Sequence, residues 1–72
     1  MVKLVNEKTG EEIHPNSEVK DFRGDVVVFR YISQLPIGNS GGKIIVDDGV
    51  ETNPFVREVY PSVVMAKIVF AE

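Results

Sequence analysis

Eight consecutive residues, Val26 to Ser33, restrict the fold of this chain more than any other segment. β-branched and aromatic side chains dominate the run, which predicts a long β-strand. Val27, Phe29 and Tyr31 are predicted to share one face of that strand, and Val26, Val28, Arg30 and Ile32 the other. Because apolar side chains occur on both faces, we expect the strand to be buried on both sides or to bend within a small barrel.

The chain has 72 residues and no cysteine. This length predicts a single domain, residues 1–72. A chain so short buries only about 60% of the surface that its unfolded form exposes. Without cysteine the domain has neither a disulfide nor a thiolate metal site, so its stability must come from packing, including any that self-association adds.

Turn-forming residues divide the rest of the chain into short segments of strand-like composition. Predicted strands cover residues 2–5, 11–13, 26–33, 43–47, 55–60 and 63–70, and residues 18–22 are predicted to form a short extended piece. Ser62 is a suitable helix cap, but the β-branched residues that follow favour a strand, with a single helical turn at Pro61 to Val64 as the exception. Many short strands separated by turns predict an all-β fold. The predicted core contains Val27, Phe29, Ile44, Val46 and Ile68.

The segment Glu58 to Ile68 resembles the end of an SH3 fold, in which an aromatic residue, a proline and a serine form one 3₁₀ turn before the last strand. The resemblance implies a small SH3-like barrel of about five to six strands with one short 3₁₀ turn. Three segments, residues 21–25, 40–46 and 57–63, also resemble small uncharacterised proteins of phages and prophages. The resemblance to that group implies no particular activity.

Charge and hydropathy narrow the choice of partner. Eight Lys and Arg side chains oppose eleven Asp and Glu side chains, for a formal net charge of −3. This balance disfavours nucleic acid, whose binding depends on clustered cations. The longest apolar run, Val63 to Ala66, is far shorter than the roughly 20 residues that span a bilayer, and residues 1–7 do not resemble a secretory signal. We therefore expect a cytoplasmic protein without membrane contact.

Catalytic and cofactor chemistry lack the residues that they need. His14 is the only histidine, and there is no cysteine nucleophile. Glu11 and Glu12 are adjacent and would point to opposite faces of a strand, which does not suit acid–base catalysis on one substrate. The run Gly38 to Lys43 lacks the spacing of a phosphate loop, and Asp47 to Glu51 lacks the ligand pattern of a calcium loop. The chain is therefore predicted to be no enzyme and to hold no cofactor or metal ion.

The aromatic side chains are expected to divide between core and surface. Phe22, Phe29 and Phe70 are predicted to lie in the core, and Tyr31, Phe55 and Tyr60 in a surface groove. Nearby cations would complete a binding surface. The predicted binding residues are Arg30, Tyr31, Lys43, Phe55, Arg57 and Tyr60.

These features predict a small non-enzymatic binding module whose partner is another protein. The resemblance to phage proteins implies that the module is encoded by a phage. The alternative is a nucleic-acid-binding SH3-like barrel that uses the same cations and aromatic rings. A homodimer is one of two predicted arrangements, because Val63 to Phe70 is apolar on both faces. The charge of Lys67 indicates that its face points outward, so an apolar surface there needs cover. Either a second copy or the N-terminal hairpin, Val2 to Ile13, would cover that outward face.

Overall fold

A computed structural model describes residues 1–49 and 55–70. Within those residues the chain forms seven short strands and one 3₁₀ turn. The strands are β1 (Val2–Asn6), β2 (Glu12–Ile13), β3 (Glu18–Lys20), β4 (Val26–Gln34), β5 (Lys43–Asp47), β6 (Arg57–Val59) and β7 (Ala66–Phe70), and the turn is Pro61–Val64. The all-β class and the 3₁₀ turn are confirmed, with seven strands where five to six were predicted. The run Asp47 to Glu51, which lacks the ligand pattern of a calcium loop, extends outside the described residues.

The strands form two antiparallel sheets. The strand order is β2-β1-β7 in one sheet and β3-β4-β5-β6 in the other. No ladder joins the two sheets within the described residues, so the barrel is not closed and the SH3-like barrel is not confirmed. An opening remains between β2 and β3, because these strands contain only two and three residues and a turn at residues 14–17 separates them.

The hydrophobic core lies between the sheets. It combines Leu4, Ala66 and Ile68 from the three-stranded sheet, Val27, Phe29, Ile44 and Val46 from the four-stranded sheet, and Val64 from the 3₁₀ turn. All five residues predicted for the core are buried there. Alternation along the strands explains this result, since residues two apart on one strand point to the same face.

A β-bulge in β4 changes which of its side chains reach the core. Between Phe29 and Tyr31 the register against β5 shifts, so Arg30 is an extra residue in the ladder. The extra residue reverses the alternation beyond it. Ile32 packs against the core, whereas Tyr31 is 58% exposed. The prediction that Tyr31 shares the face of Phe29 is therefore wrong, because sequence alternation alone does not reveal an inserted residue.

The 3₁₀ turn directs the chain from β6 into β7. Met65 follows the turn in the left-handed conformation, with φ of 54°, and its N–H donates to the carbonyl of Ser62 at 3.0 Å. From there β7 buries Ala66 and Ile68 and leaves Lys67 exposed. The face that carries Lys67 thus points outward, as expected.

Candidate functional site

The side of the four-stranded sheet that faces away from the core carries two exposed tyrosines. Since Ile44 and Val46 are buried, Ile45 between them points outward. The register places Tyr31 of β4 on one side of Ile45 and Glu58 of β6 on the other. We call this surface, which comprises Tyr31, Ser33, Lys43, Ile45, Glu58 and Tyr60, the tyrosine face.

Glu58 holds the polar part of the tyrosine face together. The Ser33 hydroxyl donates to Glu58 Oε2 at 2.6 Å, and Lys43 Nζ lies 3.8 Å from Glu58 Oε1. Lys43 Nζ also lies 5.4 Å from the centre of the Tyr60 ring, which permits a cation–π contact. The Tyr60 residue remains 57% exposed. The face thus presents aromatic surface on a strand framework, with its lysine already paired to a carboxylate.

Arg30 lies at the margin of the tyrosine face but is engaged within the fold. Its Nε donates to Asp47 Oδ2, and its Nη1 donates to Asn16 Oδ1 at 2.7 Å. The buried Asp47 side chain also accepts the N–H of Gly49 on Oδ1 at 2.7 Å. Arg30 therefore ties β4 to the end of β5 and to the turn before β3, and its charge is balanced by Asp47.

Two buried carboxylates have pKa values below the ordinary value of 3.8. For Asp47 the hydrogen bond from Arg30 lowers the pKa most, and it outweighs the opposing effect of burial. For Asp21 burial raises the pKa, but the backbone N–H groups of Asp25 and Arg23, together with the Arg23 charge, lower it further than burial raises it. Both groups are therefore held ionised in the folded chain.

These carboxylates are expected to make the fold sensitive to acid. A group whose pKa is lower in the folded than in the unfolded chain stabilises the fold above its unfolded pKa, and this stabilisation is lost as the pH falls through its folded pKa. The urea midpoint is therefore expected to fall as the pH drops below 3.8. An Asp47→Asn variant should be less stable near neutral pH and should lose less on acidification. The control is Asp25→Asn, which changes an exposed carboxylate. If acidification lowers the urea midpoint of Asp47→Asn as much as that of the control, Asp47 does not have this role.

Phe55 and Arg57 lie apart from the tyrosine face. Arg57 lies opposite the buried Val46 in the ladder, so it leaves β6 on the side opposite to Glu58. Its guanidinium carbon lies 5.8 Å from the centre of the exposed Phe55 ring. Of the predicted binding residues, the structure brings Lys43 and Tyr60 into contact and places Tyr31 beside Ile45 on the same side of the sheet. Arg30 lies at the margin of this face, and Phe55 and Arg57 lie apart from it.

No protein-family model, curated protein or solved structure matches this chain. The resemblance to phage proteins therefore stays a prediction. Among the described residues, no group of three or more His, Cys, Asp or Glu side chains is placed to hold a metal ion. Residues 1–49 and 55–70 also contain no helix with the length and apolar character of a membrane span.

Three members of the tyrosine face, Ser33, Ile45 and Glu58, were not predicted. Ile44 and Val46 were predicted for the core, and alternation then directs Ile45 outward, but Ile45 was not among the predicted binding residues. Glu58 did carry a usable signal, because a charged residue beside Val59 on a short strand is expected to point outward.

Phe22 and Phe70 are exposed, although both were predicted for the core. They are 68% and 66% exposed, against 2% for Phe29. Phe22 lies in the turn after β3, where the buried position belongs to Asp21, whose carboxylate accepts two backbone N–H groups of the turn. Phe70 is the last residue of β7, opposite Val2 in the ladder. Local turn chemistry and the end of a strand thus override hydrophobicity at these two positions.

Proposed function

We propose that this domain is a non-enzymatic binding module that uses the tyrosine face to contact another protein. The observation that carries the proposal is two exposed rings, Tyr31 beside Ile45 on the outer side of the sheet and Tyr60 beside Lys43. Tyrosine combines a large apolar area with a hydroxyl that can form hydrogen bonds, and it is enriched at the energetic centres of protein interfaces. Tyr31 lies on β4, and Tyr60 lies between β6 and the 3₁₀ turn, so the fold positions both residues before a partner arrives, which lowers the entropy lost on binding.

The charges near this face favour a protein over a nucleic acid. Lys43 is paired with Glu58, and Arg30 is paired with Asp47. A strand of nucleic acid would have to displace these carboxylates or lie beside them, and the formal net charge of the chain is −3. The proposal includes a cytoplasmic location, which the cysteine-free composition supports. It also includes a phage origin, which the sequence resemblance supports. The homodimer stays a prediction.

Selection of peptides from a displayed random library tests the proposed function. Peptides that bind the wild-type domain are expected to bind the Tyr31→Ser/Tyr60→Ser variant at least about tenfold more weakly, because each ring supplies central contact area. The control is Phe22→Ser, which removes an exposed ring that does not belong to the tyrosine face and should leave affinity unchanged.

Two results would contradict the proposal. One is equal loss of binding in the tyrosine variant and in the Phe22→Ser control. The other is binding of an oligothymidylate probe that weakens steeply as salt increases, since that behaviour is typical of nucleic-acid binding. Far-UV circular dichroism of each variant shows whether the fold is retained.

A further inference from the structure

A groove of about 360 Å³ lies between β2 and β3, at the opening between the two sheets. Residues 11–13 line one side and residues 17–20 the other, and Val64 and Met65 complete the lining. None of these residues belongs to the tyrosine face. Binding in this groove therefore does not depend on the function proposed above.

β2 presents an unpaired backbone edge. The N–H of Asn6 donates to the carbonyl of Glu11 at 2.8 Å, so Glu11 directs its peptide groups toward β1. Peptide groups alternate in direction along an antiparallel strand, so those of Glu12 point away from β1. Because β2 is at the end of its sheet, no further strand of the described residues receives them.

β3 presents a longer edge beside the same groove. The N–H of Phe29 donates to the carbonyl of Ser17 at 3.0 Å, so Ser17 and, two residues later, Val19 face β4. The peptide groups of Glu18 and Lys20 then point away from β4. β3 is also at the end of its sheet in the described part of the chain. Unpaired strand edges of this kind accept an added strand.

The groove is acidic. Glu11, Glu12 and Glu18 line it, against the single cation Lys20. Glu12 is already paired, since its Oε2 lies 3.1 Å from Nδ1 of His14. The carboxylates of Glu11 and Glu18 form no ion pair or hydrogen bond with any other residue in 1–49 or 55–70. A ligand in the groove would therefore meet negative charge that the fold does not compensate.

We propose that this groove binds an extended, lysine- or arginine-rich segment of another protein, which adds to β3 as a further strand. The peptide groups of Glu18 and Lys20 supply main-chain hydrogen bonds, and the carboxylates of Glu11 and Glu18 select positive charge. Ile13 and Val19 are half-buried and supply apolar contacts in the groove. Because successive side chains of a strand point to opposite sides, the segment that fits best alternates basic and apolar residues.

A second copy of this chain fits the groove less well. Each copy carries a formal net charge of −3, and the groove of each copy is acidic, so two copies would bring like charges together. The acidic edge thus disfavours self-association and favours a basic partner.

Fluorescence anisotropy with a labelled short peptide of alternating lysine and valine tests this proposal. The comparison peptide alternates lysine and proline, which keeps the charge but removes backbone N–H donors and disfavours a central strand. The lysine–valine peptide is expected to bind at least about tenfold more tightly than the lysine–proline peptide. A Glu11→Gln/Glu18→Gln variant should weaken its binding by about three- to tenfold, as expected for the loss of two exposed charge contacts.

The matched control is Glu7→Gln/Asp25→Asn, which removes two charges that do not line the groove. This control and the Tyr31→Ser/Tyr60→Ser variant should both bind the peptide as the wild type does, so that failure of the groove and failure of the tyrosine face are distinguishable. Equal affinity for the two peptides, equal weakening in the charge control, or no binding at millimolar concentration would overturn the proposal. A dimer in sedimentation that the lysine–valine peptide dissociates would assign the groove to a second copy and would also overturn it.

Discussion

Replacing Gly42 with alanine is expected to lower the melting temperature by at least about 8 °C or to prevent folding. Gly42 has φ of +85°, and a Cβ there would lie 2.5 Å from the carbonyl oxygen of Gln34 and 2.7 Å from Cδ1 of Ile68. The left-handed conformation costs an alanine about 1–2 kcal/mol, and overpacking adds about 1–3 kcal/mol. The total approaches the whole stability of a domain this small, about 3–5 kcal/mol.

The neighbouring Gly41→Ala variant is the matched control for Gly42→Ala. A Cβ on Gly41 would meet no atom within 4 Å, and Gly41 is not in the left-handed region. Thermal melts followed by far-UV circular dichroism compare the two variants directly. Equal melting temperatures would show that the close approach at Gly42 is not required for the fold.

Replacing Phe29 with alanine is expected to destabilise the fold by about 3–5 kcal/mol, because a buried ring leaves a cavity that the sheets cannot fully close. Phe29 is 2% exposed and lies in the core cluster. Phe22→Ala is the matched control, since Phe22 is 68% exposed and the guanidinium carbon of Arg23 lies 5.7 Å from the centre of its ring. The control should change the free energy of unfolding by less than about 0.5 kcal/mol.

Urea denaturation of the two phenylalanine variants measures this difference. If Phe29→Ala is too unstable to fold, a Phe29→Leu variant should still fold with reduced stability, because it keeps most of the buried volume. Similar free energies of unfolding for the Phe29 and Phe22 variants would contradict the placement of Phe29 in the core.

Composition was sufficient to predict the strands and most of the core. The β-branched runs around Val27 and Ile44 fold as strands, and the predicted 3₁₀ turn follows Tyr60. These features depend on local sequence, since alternation and turn residues act over a few positions. Gly42 shows the limit of this reasoning, because nothing in its glycine-rich segment indicates that the structure packs Gly42 against Gln34 and Ile68.

The tyrosine face was only partly predictable. Its two tyrosines and its lysine were identified from residue type, but the bulge at Arg30 decides that Tyr31 points outward. An inserted residue leaves no mark in the composition, and it appears only when the partner strand is known. The pairing of Arg30 with Asp47 is also a result of register, which local patterns do not determine.

The pairing of β1 with β7 has a consequence for how the chain folds during its synthesis. β3 to β6 follow one another in sequence and can pair by closing short loops, whereas β1 and β7 lie almost the whole described chain apart. Until β7 has left the ribosome, β1 has only the two-residue β2 beside it. Leu4 therefore becomes buried only after Ile68, its partner in the ladder, has been synthesised. Of the described strands, β1 is thus synthesised first and is among the last to be stabilised, and the core is completed only after β7 has been synthesised.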